Sequence, residues 1–440
     1  MTGRPGEAGF VRALGTLGLA ASIVNITIGG GIFRVPGAME VTGRLGAAAP
    51  LAYAVCALVM TFVVICFAEA GSRVAATGGP YAYMERAFGG FAAFLVGWFL
   101  WVSATIAIAA VATIFTDAAL RMVPGVPRVP GRALVLIGVI AVVTIINVLG
   151  VKFGARLNVA STIAKLLPLG LLIVLGLFRL NPEYVTWGEA PTVTDLTRAS
   201  VFLIFVFAGI ESAVVPGGEV RDSARTVPRA VFIALLIVTV VYVLVQIVSY
   251  GAVGPALVGS GAPLSDAATA IMGPAGGAML GIAVVLSTFG YLCGMILAVP
   301  RALFAFARDG LLPRALSAVH PRFRTPWLAI IAQAAICLIL ALSSGFEPLV
   351  ILANLAVLFV YLGCAAAAWQ LRRKEIRDDD ATTLRSIPGS VMGPPLAALV
   401  ILALLTSITP REWAVSAAVA GVGIVLWIFT KLPRRTSTSP

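Results

Sequence analysis

The chain has 440 residues, of which 60% are hydrophobic and only 11% are charged, and its mean hydropathy is +1.03. Soluble globular proteins typically carry about 25% charged residues, so this composition excludes a water-soluble enzyme, a disordered chain and a disulfide-stabilised secreted domain. The formal net charge is +12. Because the basic residues lie in short connections between apolar runs, the charge indicates orientation in a membrane rather than nucleic-acid binding.

A spanning helix needs about 20 mostly apolar residues, and the chain contains twelve candidate runs. They lie at 14–37, 47–70, 90–120, 132–150, 157–179, 199–220, 228–253, 275–306, 326–344, 346–371, 391–409 and 412–431. Counted together with the ends of the adjoining runs, one alternating set of connections holds 22 Lys and Arg residues and the other holds 8. This asymmetry predicts an all-α, multi-pass protein of the cell membrane with both termini in the cytoplasm.

Two of these spans are interrupted by glycine. The first reads NITIGGGIFRVPG, with three glycines at 29–31, and the sixth reads FVFAGIESAVVPGGEV, which contains Gly209. Each glycine costs a helix about 1 kcal/mol relative to alanine. A stripe of small residues for helix packing is the alternative for the triplet, but such stripes space small residues four apart. Broken helices at matching positions of two halves indicate a transport site.

The interrupted spans are five apart, which predicts two inverted repeats of five helices each. The first repeat covers 13–180, the second covers 198–372, and two additional helices follow at 391–431. All of them belong to one transmembrane domain, 1–440.

Two ionisable residues, Lys165 in the fifth span and Glu211 in the sixth, lie near the predicted membrane midplane. A charge at that depth costs about 2.5–3.5 kcal/mol, so such residues are functional candidates. A desolvated lysine can release its proton, whereas an arginine effectively cannot. We predict that both residues act in proton coupling or gating. The alternatives are a permanently charged tie to helix-end carbonyls for Lys165, and hydrogen bonding to loose backbone for Glu211.

Four motifs in sequence order resemble those of amino acid permeases of the amino acid–polyamine–organocation superfamily. They are GGGIF (29–33), AEAGSRVAATGGPYAYM (68–84), FAGIESAVVPGGEVRDSARTVPRA (207–230) and PRALFAFARDGLLPRALSAVHPRFRTPWLAI (300–330). The resemblance implies the LeuT fold, alternating access and secondary active transport of amino acids rather than catalysis. It covers about 20–330 of the chain.

The same resemblance implies a substrate site between the first and sixth helices. The substrate carboxylate is expected to bind backbone amides of the first break, at Gly30, Gly31 and Ile32. The substrate ammonium is expected to bind backbone carbonyls of both breaks, at Thr27, Phe205 and Ala208. Phe205 matches the aromatic residue that caps the substrate. Gly30 stands where many relatives have Ser or Thr, so one hydroxyl contact is missing and the pocket is wider.

Lys165 matches a fifth-helix lysine that takes the place of sodium in sodium-independent members. Ser287 and Thr288 resemble a sodium-ligand pair of related carriers, and would hold sodium if the protein were sodium-coupled. An ammonium and a sodium ion cannot share that space, and we favour the lysine. We expect its amine within hydrogen-bonding reach of first-helix carbonyls near Ile26 to Gly29, and close to Ser287 or Thr288. Met295, fifteen residues before Gly310, is predicted to line the pocket wall, where a flexible thioether accepts varied side chains.

The predicted function is therefore transport of L-amino acids across the membrane, coupled to protons and independent of sodium. Neutral substrates are favoured because the sequence offers only Glu211 as an acidic group at depth. No cofactor, metal ion or nucleic acid is expected, the bilayer is the surrounding partner, and a monomer can suffice. Amino acid exchange and sodium symport are the alternatives, a channel is less favoured, and a membrane enzyme lacks a candidate nucleophile and base.

Overall fold

The computed structural model describes residues 15–74, 79–123, 127–150, 155–188, 190–210, 223–377 and 389–431. Within these ranges the regular structure is helical, and no strand occurs. The α-helices are α1 Thr16–Thr27, α2 Ala49–Arg73, α3 Pro80–Phe88, α4 Gly90–Met122, α5 Arg128–Val148, α6 Ala155–Gly176, α7 Pro182–Val185, α8 Val193–Phe207, α9 Ser223–Val253, α10 Pro263–Ala298, α11 Pro300–Arg308, α12 Trp327–Ser343, α13 Phe346–Arg373, α14 Gly393–Leu405 and α15 Pro410–Lys431.

Seven helical stretches of the described chain are long and apolar enough to cross a membrane. They are Gly46–Arg73, Gly90–Met122, Pro130–Val148, Pro228–Leu257, Pro263–Arg308, Phe346–Arg373 and Pro410–Phe429. Thr16–Thr27 and Gly30–Gly43 form a pair bent by 48°, which counts as an eighth span. Three shorter apolar helices lie at Ala164–Gly176, Trp327–Ser343 and Gly393–Leu405. The prediction of an all-helical, multi-pass membrane protein is thus confirmed at this level.

The boundary of the eighth predicted span differs from the structure. The run was expected to begin at residue 275, but α10 begins at Pro263. Gly273 has a φ of 76°, which interrupts the helical backbone, and the helix resumes at Pro274. Because proline is well tolerated in the first turn of a helix, the apolar run marks the second part of α10. Two short helices in polar connections, α3 and α7, were not predicted.

The central helices are α4 and α13, which pack against each other over much of their length. Around this pair, α10 packs on both α4 and α6, while α9 packs on α1 and α2. Asn354 of α13 donates hydrogen bonds from Nδ2 to the carbonyls of Val201 (2.8 Å) and Phe202 (3.0 Å) in α8. This buried amide fixes the position of α13 along the sixth span.

A polar face of α9 holds the segment that follows the break in the first span. Gln246 donates from Nε2 to the Thr42 hydroxyl (3.0 Å) and accepts from the Tyr53 hydroxyl of α2 (3.2 Å). The Thr42 hydroxyl in turn donates to the carbonyl of Pro36 (2.5 Å). Since buried polar groups are costly unless they are hydrogen-bonded, these contacts tie the segment to both α2 and α9.

Charged residues connect the start of α8 to the end of the first span. Arg44 contacts Glu40 (2.7 Å) and Asp195 (3.3 Å), and Arg198 approaches Glu40 (3.6 Å). The hydroxyl of Thr192 and the nearby Arg44 lower the pKa of the exposed Asp195 carboxyl. A lowered carboxyl pKa stabilises the folded protein above the unfolded pKa, and this contribution is lost as the pH falls through the folded pKa.

Candidate substrate site

The first helix stops at Thr27 and the chain turns before continuing. The amide of Ile28 donates to Val24 O (2.9 Å), but the amide of Gly29 donates to Thr27 O (2.7 Å). A short 3-10 turn, Gly30–Phe33, follows and is fully buried. The N–H groups at the start of a helical turn have no intrahelical acceptor. Gly30, Gly31 and Ile32, the predicted carboxylate cradle, lie at the start of this turn inside the bundle.

Helix α8 of the sixth predicted span ends beside the break in the first span. Helix α8 ends at Phe207, Ala208 has an extended backbone, and Gly209 has a φ of 112° that side chains rarely adopt. A Cβ added to Gly209 would lie 3.3 Å from Ile26 Cγ2 and 3.6 Å from Thr27 Cα. Only a glycine allows this approach, and the ends of α1 and α8 meet as a result.

The two cradle glycines pack against opposite walls. A Cβ on Gly30 would lie 2.9 Å from the Cγ2 methyl of Thr288. A Cβ on Gly31 would lie 2.9 Å from Val206 Cγ1 and 3.0 Å from the Cδ1 and Cε1 atoms of Phe205. The structure thus brings the ring of Phe205 directly against the first-helix turn.

The amine of Lys165 reaches the first helix, although one residue away from the expected range. The sequence predicted contact with carbonyls between residues 26 and 29, whereas Lys165 Nζ donates a hydrogen bond to Asn25 O. In an unbroken helix that carbonyl would accept from Gly29 N, which instead donates to Thr27 O. The break therefore turns Asn25 O toward an outside donor, and the lysine, only 7% exposed, supplies it.

Sequence reasoning missed a tyrosine that joins both breaks. The fully buried Tyr242 of α9 has its hydroxyl 2.8 Å from Thr27 O and 2.8 Å from Val206 O. These carbonyls belong to the last turns of α1 and α8, where intrahelical donors run out. The signal was present in the sequence, because Tyr242, Gln246 and Tyr250 recur every four residues and so share one face of an apolar helix.

Replacing Tyr242 with phenylalanine should impair transport and lower the free energy of unfolding by about 0.5–1.5 kcal/mol, the usual net contribution of one hydrogen bond. Thermal unfolding and substrate uptake measure the two effects. Tyr53→Phe is the matched control, because it removes another buried hydroxyl that hydrogen-bonds Gln246 rather than the breaks. Equal uptake by both variants would show that the tie to the breaks is not used in transport.

The pair considered for sodium lies on the wall of the same site. Ser287 and Thr288 are buried in α10, and the Thr288 hydroxyl donates to Val284 O (2.6 Å) within its own helix. Its methyl group is the part that faces Gly30. The hydroxyl proton is thus committed to the helix, while the oxygen keeps a lone pair.

The remaining two predicted residues are not brought to the breaks by any described contact. Met295 is half-buried in α10, seven residues beyond Thr288, which is about 10 Å along a helix that rises 1.5 Å per residue. Its place in the pocket wall stays a prediction. Glu211 lies outside the residues that the structure describes.

Comparison with known proteins gives a family match and several named relatives. A family model described as "Amino acid permease" matches residues 14–430. The serine/threonine exchanger SteT of Bacillus subtilis (strain 168) is 31% identical over 84% of this chain and 85% of its own length. From the same organism, a methylthioribose transporter is 26% identical, covering 95% of this chain and 91% of its own. The branched-chain amino acid permease BcaP is also 26% identical, covering 92% and 89%.

The family match extends over nearly the whole chain, including both broken helices and the lysine that faces the first of them. Its relatives are transporters, and no catalytic family is indicated. The chain belongs to the amino acid permease family of multi-pass membrane transporters.

Proposed function

We propose that the protein is a secondary active transporter that moves neutral L-amino acids by alternating access, coupled to protons and independent of sodium. The observation that carries the proposal is the meeting of two helix breaks at Thr27 and Gly209. An amino acid has a carboxylate beside an ammonium. Amides at the start of a helical turn suit the carboxylate, and carbonyls at the ends of α1 and α8 suit the ammonium.

The names of relatives support a neutral substrate. Serine and threonine, named for one relative, and branched-chain amino acids, named for another, are all neutral. The hydroxyl oxygen of Thr27 is buried without a hydrogen-bond partner among the described residues, so a polar group of the substrate can supply one. Another relative is named for methylthioribose, which is not an amino acid. The substrate class is therefore the first property to measure.

The lysine contact supports proton coupling. Lys165 holds Asn25 O at the break, and loss of the amine's proton would weaken that hold and bias the first helix toward another position. Such a shift requires that the protonated amine favour one conformation over the other. In this proposal the repeats are 13–180, which contains α1, and 198–372, which contains most of α8, and both termini are cytoplasmic.

Counterflow of labelled amino acids in proteoliposomes tests the function. Vesicles loaded with unlabelled serine, threonine, valine or leucine should accumulate the matching labelled amino acid. Glutamate and lysine should be poor substrates in the same assay. A channel would show no such trans-stimulation.

Net uptake should follow an imposed proton gradient and persist when choline replaces sodium at constant pH. Trans-stimulation without gradient-driven uptake would instead identify an exchanger, and sodium stimulation would assign Ser287 and Thr288 to a sodium site.

Glu211→Gln should flatten the pH dependence of uptake while leaving expression close to that of the wild type. Glutamine keeps the shape of the side chain and removes its titration. Uptake measured between pH 5 and 8 at constant sodium checks the effect. A variant with the wild-type pH profile would leave Glu211 without a role in proton coupling.

A further inference from the structure

A chain of aromatic contacts leads away from the substrate site. The ring of Phe205 lies against the cradle and also meets the ring of Phe346 edge-on, with centroids 5.9 Å apart and an interplanar angle of 81°. Phe346 is the first residue of α13, is only 3% exposed, and also meets Phe202 at 6.1 Å. Phe346 therefore contacts two rings of α8, one of which lies against the cradle.

A guanidinium ends this chain of contacts. Arg34 immediately follows the 3-10 turn, and its Cζ lies 5.9 Å from the centroid of the Phe346 ring, within the range of a cation–π interaction. The carboxylate of Asp117 is 3.9 Å from Arg34 Nη1, which is too long for a hydrogen bond. That nitrogen is buried and has no hydrogen-bond partner among the described residues. The aromatic ring is thus a principal neighbour of the guanidinium.

The position of Phe346 is fixed independently. Two turns further along α13, the amide of Asn354 binds the carbonyls of Val201 and Phe202. Arg34 lies at the outer end of the first predicted span, and 18% of its side chain is exposed. A mostly buried guanidinium needs favourable neighbours inside the protein, and the ring of Phe346 is one of them.

We propose that Arg34 and Phe346 are positioning residues that hold the Phe205 ring over the cradle and limit the size of the substrate side chain. The proposal rests on the proposed amino acid transport. A bulky side chain would have to displace the Phe205 ring, and the buried Phe346, which contacts both Phe205 and Arg34, would resist that displacement. The three residues belong to the first, sixth and tenth predicted spans.

Phe346→Leu should widen the range of accepted side chains. In competition against the best wild-type substrate, larger neutral amino acids should gain at least about tenfold in relative potency, the scale on which pocket volume discriminates. The maximal rate with the best substrate should change much less. Phe99→Leu is the control, because it removes another buried ring, which packs on Phe359 of the same helix α13.

Arg34→Gln should shift the competition profile in the same direction as Phe346→Leu. Arg34→Lys should keep a profile close to that of the wild type, since lysine keeps the cation. Arg132→Gln separates the ring contact from the ion pair, because Arg132 approaches the same carboxylate of Asp117 at 3.7 Å. Its profile should stay that of the wild type. Thermal unfolding of each variant confirms that it is folded.

Unchanged profiles in folded Phe346→Leu and Arg34→Gln would overturn the positioning role. A shift in Arg132→Gln equal to that in Arg34→Gln would also overturn it, because the ion pair and not the ring would then be responsible. If Phe346→Leu fails to fold, the arginine series decides alone. Failure of the wild type to transport any amino acid would instead refute the proposed function, so the two failures are distinguishable.

Discussion

Lys165→Met is expected to reduce amino acid uptake by at least about tenfold, which corresponds to about 1.4 kcal/mol and is comparable to one lost hydrogen bond to a charged group. The amine donates to Asn25 O at the break of the first helix, and methionine is similar in length but donates nothing. Thermal stability should be unchanged or higher, because an apolar side chain avoids the cost of burying a charge. Initial uptake rates and thermal unfolding measure the two effects.

Two further variants separate coupling from structure. Lys165→Arg keeps the positive charge but cannot release its proton, so proton-driven uptake should be lost even if the tie to the first helix persists. Lys374→Met is the control, since Lys374 is exposed beyond the end of α13. Normal proton-driven uptake by Lys165→Arg would mean that the lysine is only a permanent electrostatic tie.

Gly31→Ala is expected to abolish most transport. The added Cβ would lie 2.9 Å from Val206 Cγ1 and 3.0 Å from two ring carbons of Phe205, closer than real Cβ contacts allow. The ring must move out of its position against the cradle, and small displacements at a binding site cost about 100-fold in rate. Uptake of the best substrate from the counterflow panel, with expression and thermal unfolding as checks, measures the loss.

Gly29→Ala is a matched control two residues earlier in the same triplet. Its φ is −96°, which an alanine adopts readily, and the nearest atom to an added Cβ is Ile26 O at 3.6 Å. The Gly29 amide already donates to Thr27 O, so it lies outside the predicted cradle. This variant should retain most of its uptake, and an equal loss in both variants would point to general damage to the turn.

Much of the helical architecture follows from the sequence because hydropathy and glycine act locally. Three consecutive glycines in the first span predict a break, and α1 indeed stops at Thr27. The apolar run beginning at 275 coincides with the part of α10 that follows Gly273. The earlier start at Pro263 was missed because a helix that continues through a Gly–Pro step reads as a connection in the sequence.

The contacts between distant helices could not be predicted in the same way. The identity of the carbonyl that meets Lys165 depends on which carbonyl accepts the hydrogen bond from the Gly29 amide. The geometry of the turn sets that acceptor. The contact of Arg34 with Phe346 joins residues more than 300 positions apart. Periodicity along one helix indicates a polar face, as for Tyr242, but does not say which backbone that face meets.

The hydroxyl of Tyr242 has one proton and two acceptors at the same distance, Thr27 O and Val206 O. Rotation of the hydroxyl about its C–O bond redirects the hydrogen bond from one carbonyl to the other and leaves the number of hydrogen bonds that it donates unchanged. A small shift of α1 relative to α8 can therefore leave the Tyr242 hydroxyl hydrogen-bonded to one break or the other. One side chain of α9 thus serves both breaks without being committed to either.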